Sequence, residues 1–481
     1  MNALPGPLFP LALACLALAG CSVLGPDPAP PQPPVPAAWS RLDAASQPLL
    51  RSETPASLAQ WWLGLGDPLL AELVGEALVA SPDLRSAQAR LREARARRTV
   101  AEAARYPAVD ASASARRSRS SEETGGGATR NLFSAGLDAS WEADVFGGVR
   151  RGVEAAEADL DAAAANLDNT RVSLAAEVAL DYVQARALQA RLAIARANLA
   201  AQSETLQLTD WRAQAGLVSQ QDVEQARSNL EQTRAQIPVL ETGLAETEHR
   251  LDLLRGRAPG SLHARLATPA PLPAVPQALA VGIPADTLRQ RPDVRAAERR
   301  LAAETARVGV AEAARYPAFR LTGSIGLEAL TLGALGNGGA ATSSLLAAVT
   351  APLFDAGRLR AQVEQQDAVR EQAQVAYEQA VLNALQEVEN ALVALQQNRA
   401  REAALSAAAE ATRSAAELAR QRYATGLIDF QSVLDTERSR LSVEDSLAST
   451  RADGALALIR LYKALGGGWT PDAPPPGKDR S

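Results

Sequence analysis

Two stretches of this chain, residues 82–114 (PDLRSAQARLREARARRTVAEAARYPAVDASAS) and residues 292–324 (PDVRAAERRLAAETARVGVAEAARYPAFRLTGS), are copies of one another. They lie 210 positions apart without a gap, and roughly half of their positions are identical. In each copy a helical pattern runs up to an Arg-Tyr-Pro stop, and an alternation of period two follows. A chain that makes the same helix-to-strand switch twice is a tandem duplication, so the two halves are expected to form one architecture.

The bulk composition indicates a helical chain with a thin core. Of its 481 residues, 47% are hydrophobic but only 4% are aromatic, and alanine supplies most of the difference. Alanine favours helix and lets helices approach closely, yet it buries little apolar surface, so these helices are expected to need partners. The net charge of −6 and the lack of a basic block argue against a nucleic-acid partner.

Candidate catalytic groups are scarce in the sequence. Two cysteines and two histidines exclude a disulfide framework and a Cys/His metal site. The sequence contains no GxSxG motif, Ser/Lys constellation, P-loop or dinucleotide fingerprint. The chain is therefore predicted to be no enzyme and to use no cofactor other than a covalent lipid.

The N-terminus carries a targeting signal. Residues 11–21 (LALACLALAGC) are too short to span a bilayer and end in small residues, which predicts a signal peptide over residues 1–20. The last four of these residues match the bacterial lipobox, so Cys21 is expected to be lipidated and to begin the mature chain. Ser22 after the cysteine favours sorting to the outer membrane. The proline-rich residues that follow, within 21–60, are predicted to form an extended tether.

Four segments show the alternation of a strand with one apolar face. In residues 132–146 (LFSAGLDASWEADVF) the odd positions are apolar and the even positions are mostly polar. A strand of this length can cross a bilayer at the usual tilt. A soluble sheet with one buried face remains the alternative. The predicted strands are residues 108–118, 131–146, 318–329 and 343–354.

Helical patterns account for most of the remaining chain. Residues 148–211 contain no proline, and Val153, Leu160, Leu167 and Leu174 fall seven apart, which is typical of a coiled-coil seam. Each half is predicted to end in a coiled-coil hairpin with a tight turn. The predicted organisation is a first repeat at 61–256 with its hairpin at 148–255, a proline-rich connector at 257–284, a second repeat at 285–468 with its hairpin at 356–465, and a disordered tail at 469–481.

The number of strands predicts the oligomeric state. Four strands cannot close a barrel, and open sheet edges are not tolerated in lipid. Three chains supply twelve strands, an even number within the range of bacterial barrels. The sequence therefore predicts a homotrimer.

The sequence also resembles the TolC family of outer-membrane factors, in the NodT/OprM-like lipoprotein branch that serves tripartite efflux pumps. The motifs that carry the resemblance cover nearly all of the mature chain. They are CSVLGPD (21–27), Trp62, Asp67-Pro68, Leu73-Val74, Ala77-Leu78, SPDL (81–84), RPDV (291–294), PLFDAG (352–357), YATG (423–426) and LYKALGGGW (461–469).

The resemblance implies a fold, a location and partners. The fold would be an α-dominated membrane protein of duplicated helix–strand–strand–long-helix-hairpin halves, whose trimer forms a 12-stranded β-barrel and a long periplasmic α-helical barrel. The protein would be lipid-anchored in the outer membrane of a Gram-negative bacterium. Its partners would be a periplasmic membrane-fusion (adaptor) protein, an inner-membrane transporter of the RND class and outer-membrane lipid. An aperture at the periplasmic tip would be held shut at rest by polar links between coiled coils.

Aperture residues are carried over from the family by position. Asp435 matches the acidic ring residue of the family, and Tyr423 matches its tyrosine partner. The neighbouring arginine of the family motif is Ala424 here, so an Arg–Asp lock must use another residue, for which Arg422 is the candidate. The counterpart of Asp435 in the first repeat is the uncharged Gln225, so the two halves are expected to differ in gating. An ordinary solvated helix face is the alternative reading of Asp435.

The two helix turns are the candidate adaptor-docking tips. Both contain glycine for a left-handed cap, two aliphatic residues, and Ser or Asp to cap the returning helix. Exposed aliphatic side chains with no local core to enter suit a docking surface. The candidates are Gly216, Leu217, Val218 and Ser219 in the first repeat and Gly426, Leu427, Ile428 and Asp429 in the second.

The function predicted from these observations is a passive exit duct for small molecules in a tripartite efflux pump. The alternatives are a duct for type I protein secretion and a periplasmic coiled-coil lipoprotein scaffold without a pore. The exported substrate stays open, because the resemblance implies that it is selected upstream of the duct.

Overall fold

The computed structural model describes residues 23–27, 35–40, 50–51, 58–273, 279–280 and 284–469. The predicted signal peptide, Cys21 and the tail beyond Trp469 lie outside the described residues. The main elements in chain order are β1 (Leu50–Arg51), a 3-10 helix (Trp61–Leu65), α1 (Pro68–Ala80), α2 (Pro82–Ala103), β2 (Ala108–Arg119), α3 (Glu122–Gly125), β3 (Thr129–Ala143), α4 (Gly148–Gln214), α5 (Gln220–Leu254), α6 (His263–Leu266), β4 (Leu279–Ala280), α7 (Pro284–Gln290), α8 (Pro292–Ala313), β5 (Ala318–Ala329), β6 (Ala341–Thr350), α9 (Arg358–Ala424) and α10 (Phe430–Ala464). Two short 3-10 turns, Leu332–Ala334 and Gly338–Ala340, separate β5 from β6.

The two halves repeat one another in length as well as in order. Helices α4 and α9 each contain 67 residues, and α5 and α10 each contain 35. None of the helices within the described ranges combines the length and the apolar character needed to cross a membrane.

Two of the four strands end before their predicted limits. Strand β3 stops at Ala143 because the Asp144 carboxylate accepts hydrogen bonds from the backbone N–H groups of Val149 (3.0 Å) and Arg150 (2.9 Å), which starts α4. In the same way β6 stops at Thr350, and the Asp355 carboxylate accepts from the backbone N–H of Leu359 at 2.9 Å. Asp144 and Asp355 therefore cap the helices that follow the two strands.

The described residues form two compact units. The sheet unit combines residues 23–27, 90–164 and 295–379, and the hairpin unit combines the described residues of 33–89, 165–294 and 380–469.

The sheet unit contains one four-stranded antiparallel sheet in the order β2-β3-β5-β6. Leu137 of β3 lies opposite Ala111 of β2 and Ile325 of β5. Every residue pair in the three registers joins positions of equal parity. Because directly opposed residues point to the same side, odd-numbered residues share one face across all four strands.

The odd-numbered face is apolar and exposed in the protomer, as the alternation predicts. Its exposed large side chains are Val109, Leu137, Leu321, Ile325, Leu327, Leu345 and Val349. A soluble sheet would bury such a face, so that alternative is wrong for this protomer. The strands contain 12, 15, 12 and 10 residues, against the about 9–11 that a tilted transmembrane strand needs.

The even-numbered face carries the exposed Leu346 but is otherwise mostly polar, and it is hydrogen-bonded across the strands. The Ser112 hydroxyl donates to the Asp138 carboxylate at 2.8 Å. Two serine pairs, Ser114 with Ser134 and Ser324 with Ser344, also lie at 2.8 Å. The sheet is therefore apolar on one side and hydrophilic on the other.

The coiled-coil seams of the sequence are largely buried. Val153, Leu167 and Leu174 are buried on α4, as are Val381 and Val388 on α9. Leu160, which belongs to the seam on α4, is only partly buried, and so is Leu385, which follows Val381 by four residues on α9.

The connector at residues 257–284 contains regular secondary structure and contacts distant parts of the chain. It contains α6 and β4, and Leu279 of β4 pairs in parallel with Leu50 of β1. The Gln189 side chain of α4 donates to the carbonyl oxygen of Leu266 at 2.6 Å. These long-range contacts give no periodic signal in the sequence.

Two motifs behind the family resemblance have structural roles in the hairpin unit. The Asp67 carboxylate caps α1 and also accepts a hydrogen bond from the Tyr182 hydroxyl at 2.6 Å. Burial, together with this carboxylate, raises the pKa of Tyr182 to about 12. The ring of Trp61 stacks on that of Tyr462 with centroids 5.2 Å apart.

Candidate functional site

The two helix turns adopt the same left-handed cap. Gly216 and Gly426 have φ angles of 71° and 79°, which side chains other than glycine rarely adopt. The backbone N–H of Leu217 donates to the carbonyl of Arg212 at 2.8 Å, and that of Leu427 donates to Arg422 at 2.9 Å. These bonds satisfy the last carbonyl groups of α4 and α9, as the sequence predicts.

The returning helices begin at the predicted caps. The Ser219 hydroxyl accepts from the backbone N–H of Asp222, whose carboxylate accepts from the Ser219 N–H in return, so the two form a capping box. Asp429 accepts from the backbone N–H of Ser432 at 2.9 Å and from its hydroxyl at 2.6 Å. These hydrogen bonds lower the pKa of the exposed Asp429 carboxyl.

The aliphatic residues of the turns divide into exposed and packed positions. Leu217 is 67% exposed and Leu427 is 75% exposed. Val218 and Ile428 are half-buried. Ile428 packs against a local core, so the expectation that it has no core to enter is wrong. Leu217 and Leu427 are therefore the exposed apolar side chains of the two turns.

A small hydrophobic core lies beside the second turn, and we call it the tip cluster. Its buried members are Ala226, Ala419, Tyr423, Phe430, Val433 and Leu434. The Tyr423 side chain is 2% exposed, and its ring lies 5.6 Å from that of Phe430. Tyr423 is thus an internal packing residue of the protomer.

An arginine of the first hairpin covers the tip cluster. The guanidinium carbon of Arg212, near the end of α4, lies 4.4 Å from the centre of the Tyr423 ring. The same guanidinium donates to the carbonyl oxygen of Tyr423. A cation on an aromatic face and a charge-assisted hydrogen bond together join the end of α4 to the end of α9.

The predicted acidic ring residue is on the surface. Asp435 is exposed on the second turn of α10, and its carboxylate accepts a hydrogen bond from Gln431 at 3.0 Å. Arg422 is exposed on the last turn of α9. The structure thus brings Tyr423 together with Arg212, a residue that was not predicted, and leaves Asp435 exposed at the surface of the protomer.

A second acid near the tip is buried. The Glu437 side chain is 5% exposed and accepts a hydrogen bond from the Thr205 hydroxyl of α4 at 2.9 Å. The Arg420 Nε of α9 lies 3.9 Å from the Glu437 carboxylate, at the long end of the range for an ion pair. Burial raises the pKa of the Glu437 carboxyl, and Thr205 and Arg420 offset this only in part.

Further polar contacts join the two hairpins. Arg438 of α10 donates to the Asn229 side chain of α5 at 3.1 Å. Arg191 of α4 makes a two-point contact with the Asp445 carboxylate of α10, at 2.7 and 3.1 Å. Both contacts link the two hairpins of one protomer through polar side chains.

Sequence reasoning missed Arg212 and Glu437, although one signal was available. Arg212 is the counterpart of Arg422 at the 210-residue offset, so the duplication singles out both arginines. Which of the two meets Tyr423 depends on how the hairpins pack, and that has no signature in the sequence. Among the described residues, no group of three or more His, Cys, Asp or Glu side chains could hold a metal ion.

The sheet and the tips together define a class of protein. Strands long enough to cross a bilayer, with one exposed apolar face, are joined to long helical hairpins, as in a channel of the outer membrane. The family model described as outer membrane efflux protein matches residues 73–257 and 283–467, and the chain belongs to this family. The two matched segments begin 210 residues apart, the same offset as the two copies that open the sequence.

Known relatives span almost the whole chain. Nodulation protein T of Rhizobium leguminosarum bv. trifolii is 35% identical over 469 residues, which cover 95% of this chain and 97% of that protein. The pyoverdine export outer membrane protein OpmQ of Pseudomonas putida is 34% identical, over 97% of this chain and 98% of OpmQ. The solved structure of the outer-membrane channel OprN is 38% identical, with a TM-score of 0.86 over 94% of this chain and 100% of that chain.

The family and these relatives settle the general activity. The protein is an outer-membrane efflux channel with a large periplasmic part. It is a passive conduit and not an enzyme, so the energy for export must come from another protein.

Proposed function

We propose that three copies of this chain form the exit duct of a tripartite efflux pump that exports small molecules. An inner-membrane transporter of the RND class supplies the energy, and a periplasmic adaptor protein connects it to the duct. The small-molecule assignment is supported by relatives such as OpmQ, whose name gives pyoverdine as its cargo.

The observation that carries the proposal is the open sheet. Within the described residues, β2 and β6 are each paired on one side only. An unpaired edge in lipid leaves backbone groups without hydrogen bonds at a cost of several kcal/mol each. Pairing β6 of one copy with β2 of the next satisfies both edges, and three copies give twelve strands.

The lipid anchor is proposed on Cys21. The described residues just after it are held on the sheet unit: the Leu24 N–H donates to the Phe146 carbonyl at 3.4 Å, and Arg151 donates to Asp27 at 2.8 Å. These contacts support an anchor beside the end of β3, where the chain leaves the sheet.

The adaptor is proposed to dock on the two turns, through Leu217 and Leu427 with their capping residues Ser219 and Asp429. The aperture is proposed to lie near Asp435, where three carboxylates around a threefold axis form a ring that attracts cations. We propose that Arg212 helps to keep the aperture shut by holding the end of α9 through Tyr423. The predicted lock between Arg422 and Asp435 stays a prediction.

The decisive experiment compares two arginine substitutions on neighbouring residues of β6. Leu345 is 79% exposed on the apolar face, and Ser344 lies on the polar face. An arginine on the lipid face near the bilayer centre costs about 2–4 kcal/mol, whereas one on the lumen side does not. Leu345→Arg should therefore reduce membrane assembly and single-channel conductance, and Ser344→Arg should leave trimer assembly intact.

The readouts are mass by light scattering in detergent and conductance in planar bilayers. A mass of three protein chains with conductance supports the duct. A monodisperse single chain, or equal effects of the two variants, would contradict it and favour a scaffold without a pore.

A further inference from the structure

Charged residues on the apolar face of the sheet are few and lie together. Across β2, β3, β5 and β6, the odd-numbered face carries two charged residues, Arg117 and Arg119, and no acid. The even-numbered face of the same strands carries both signs. Its charged residues are Asp110, Arg116, Arg130, Asp138, Glu142, Arg320 and Glu328.

Both arginines lie at one end of the sheet. Strand β2 follows α2 and ends at Arg119, where the β2–β3 hairpin turns. Apart from the four-residue α3 in the hairpin loop, the helices that adjoin β2 and β3 meet the opposite strand ends, at Ala108 and Ala143. Because the helices belong to the periplasmic part, the hairpin end faces the cell exterior.

The two residues opposite these arginines are also polar. Arg117 pairs with Asn131 and Arg119 pairs with Thr129, all four on the same face and all exposed. Residues two apart on a strand are about 7 Å apart, and opposed residues about 5 Å. We call these four residues the distal quartet: two guanidinium groups, an amide and a hydroxyl in a compact patch.

We propose that the distal quartet binds the phosphate groups of the phosphorylated glycolipid that forms the outer leaflet of the outer membrane. This inference rests on the proposed function, because it requires the odd-numbered face to meet lipid. The odd-numbered face is apolar along most of the strands, where it can contact the acyl chains of the lipid. At the hairpin end it carries arginine, amide and hydroxyl donors, which can bind the phosphate groups of the lipid head group. Arginine binds phosphate oxygens with two parallel hydrogen bonds. This geometry favours binding at a defined position over attraction to the general charge of the membrane surface.

Competition from the protein itself is weak. The Arg119 guanidinium lies 3.9 Å from the Glu122 carboxylate, and both side chains are largely exposed, at 69% and 84%. Exposed pairs of this kind contribute little, so a phosphate group can displace the carboxylate. Arg320, on the even face, instead faces Glu142 from the neighbouring strand at 3.5 Å.

The test uses matched charge losses on the two faces. The double variant Arg117→Gln/Arg119→Gln removes the two arginines of the distal quartet. The control Arg116→Gln/Arg130→Gln removes two arginines at the same height from the opposite face. The purified full-length protein in detergent is titrated with bisphosphorylated lipid A, with lipid A lacking both phosphates, and with inorganic phosphate, and binding is measured by native mass spectrometry.

We expect the quartet variant to bind bisphosphorylated lipid A about tenfold more weakly than the unmodified protein, and the control variant to bind within twofold of it. The protein should bind the phosphate-free lipid as weakly as the quartet variant binds lipid A. Equal losses in both variants, or no loss in either, would overturn the site. Inorganic phosphate that binds as tightly as lipid A would overturn the lipid as the ligand.

Conductance in phosphatidylcholine bilayers, measured on the same preparations, separates the two proposals. If the protein conducts but the quartet substitutions do not change its binding of lipid A, this site alone is refuted. A protein that neither assembles nor conducts refutes the proposed duct.

Discussion

The guanidinium of Arg212 lies over the ring of Tyr423, 4.4 Å from its centre, and donates to the carbonyl oxygen of the same residue. The end of the first long helix is thereby held on the end of the second. Replacing Arg212 by Gln should remove a cation–π contact and a charge-assisted hydrogen bond, together on the order of 2 kcal/mol of local stability. Amide hydrogen exchange around residues 423–428 should accelerate more than tenfold.

The matched control is Arg422→Gln, at the equivalent position of the second repeat. Arg422 is exposed, so its loss should leave exchange at the turn within about twofold. If both variants accelerate exchange equally, Arg212 is not the link between the hairpins.

Asp435 gives a prediction about gating. Its exposed carboxylate is held by Gln431 at 3.0 Å and, in the proposed trimer, contributes to an acidic ring. Asp435→Ala should raise single-channel conductance and make cells more sensitive to vancomycin. Gln225→Ala, at the counterpart in the first repeat, should change neither quantity. A well-folded Asp435→Ala trimer with unchanged conductance and sensitivity would show that the aperture lies elsewhere.

Glu437 gives a prediction about pH. Burial raises its pKa above the ordinary value of 4.5, so the folded chain holds this proton more tightly than the unfolded chain does. The contribution of Glu437 to the free energy of unfolding is therefore most favourable below pH 4.5 and falls as pH rises through the raised folded pKa.

Glu437→Gln should consequently stabilise the protein at pH 8, by about 1 kcal/mol, and the gain should shrink toward pH 5. Thermal unfolding at both values measures this. Glu410→Gln, at an exposed position of α9, is the control and should have little effect at either pH. A gain for Glu437→Gln that is the same at pH 5 and pH 8 would argue against a buried, titrating carboxylate.

The exposed leucines of the turns predict where the adaptor binds. Leu217→Asp and Leu427→Asp should each weaken adaptor binding about tenfold or more, since a charge replaces a side chain that must be desolvated at the interface. Trimer mass and conductance should not change. Leu382→Asp, which alters an exposed leucine on α9 away from the turns, is the control in the same pull-down and titration. If a variant that carries both Leu217→Asp and Leu427→Asp binds the adaptor as tightly as the unmodified protein does, the turns are not the docking surface.

Substitution by alanine should have opposite effects at two glycines, Gly216 in the first turn and Gly152 inside α4. Gly216 has a φ of 71° with open space around it, so Gly216→Ala should cost about 1 kcal/mol through backbone strain alone. Gly152 lies inside α4, also with open space, so Gly152→Ala should stabilise the helix by a similar amount. Thermal unfolding of the two variants should therefore shift in opposite directions, and shifts of the same sign would contradict this assignment.

Much of the fold is predictable because it is local. The alternation in residues 132–146 fixes the apolar face of β3, and the Gly-Leu-aliphatic turns fix the caps at Gly216 and Gly426. The strand ends were less accurate, because Asp144 continues the alternation in the sequence while its carboxylate caps α4, and because β6 ends at Thr350, before the helix-capping Asp355. The connector was the weakest prediction, since the pairing of Leu279 with Leu50 joins residues too far apart to leave a pattern.

The sequence by itself determined the duplication, the two-faced strands and the long hairpins, because periodicity and capping depend on neighbours within a few residues. Only the tertiary structure decided that β3 lies beside β5, that Tyr423 is buried beneath Arg212 and not Arg422, and that Glu437 is enclosed by the first hairpin. Each of these relationships joins residues from different halves of the chain. The hydrophobic period of a segment shows which of its faces is apolar, but only the packing of the elements determines which residues contact that face.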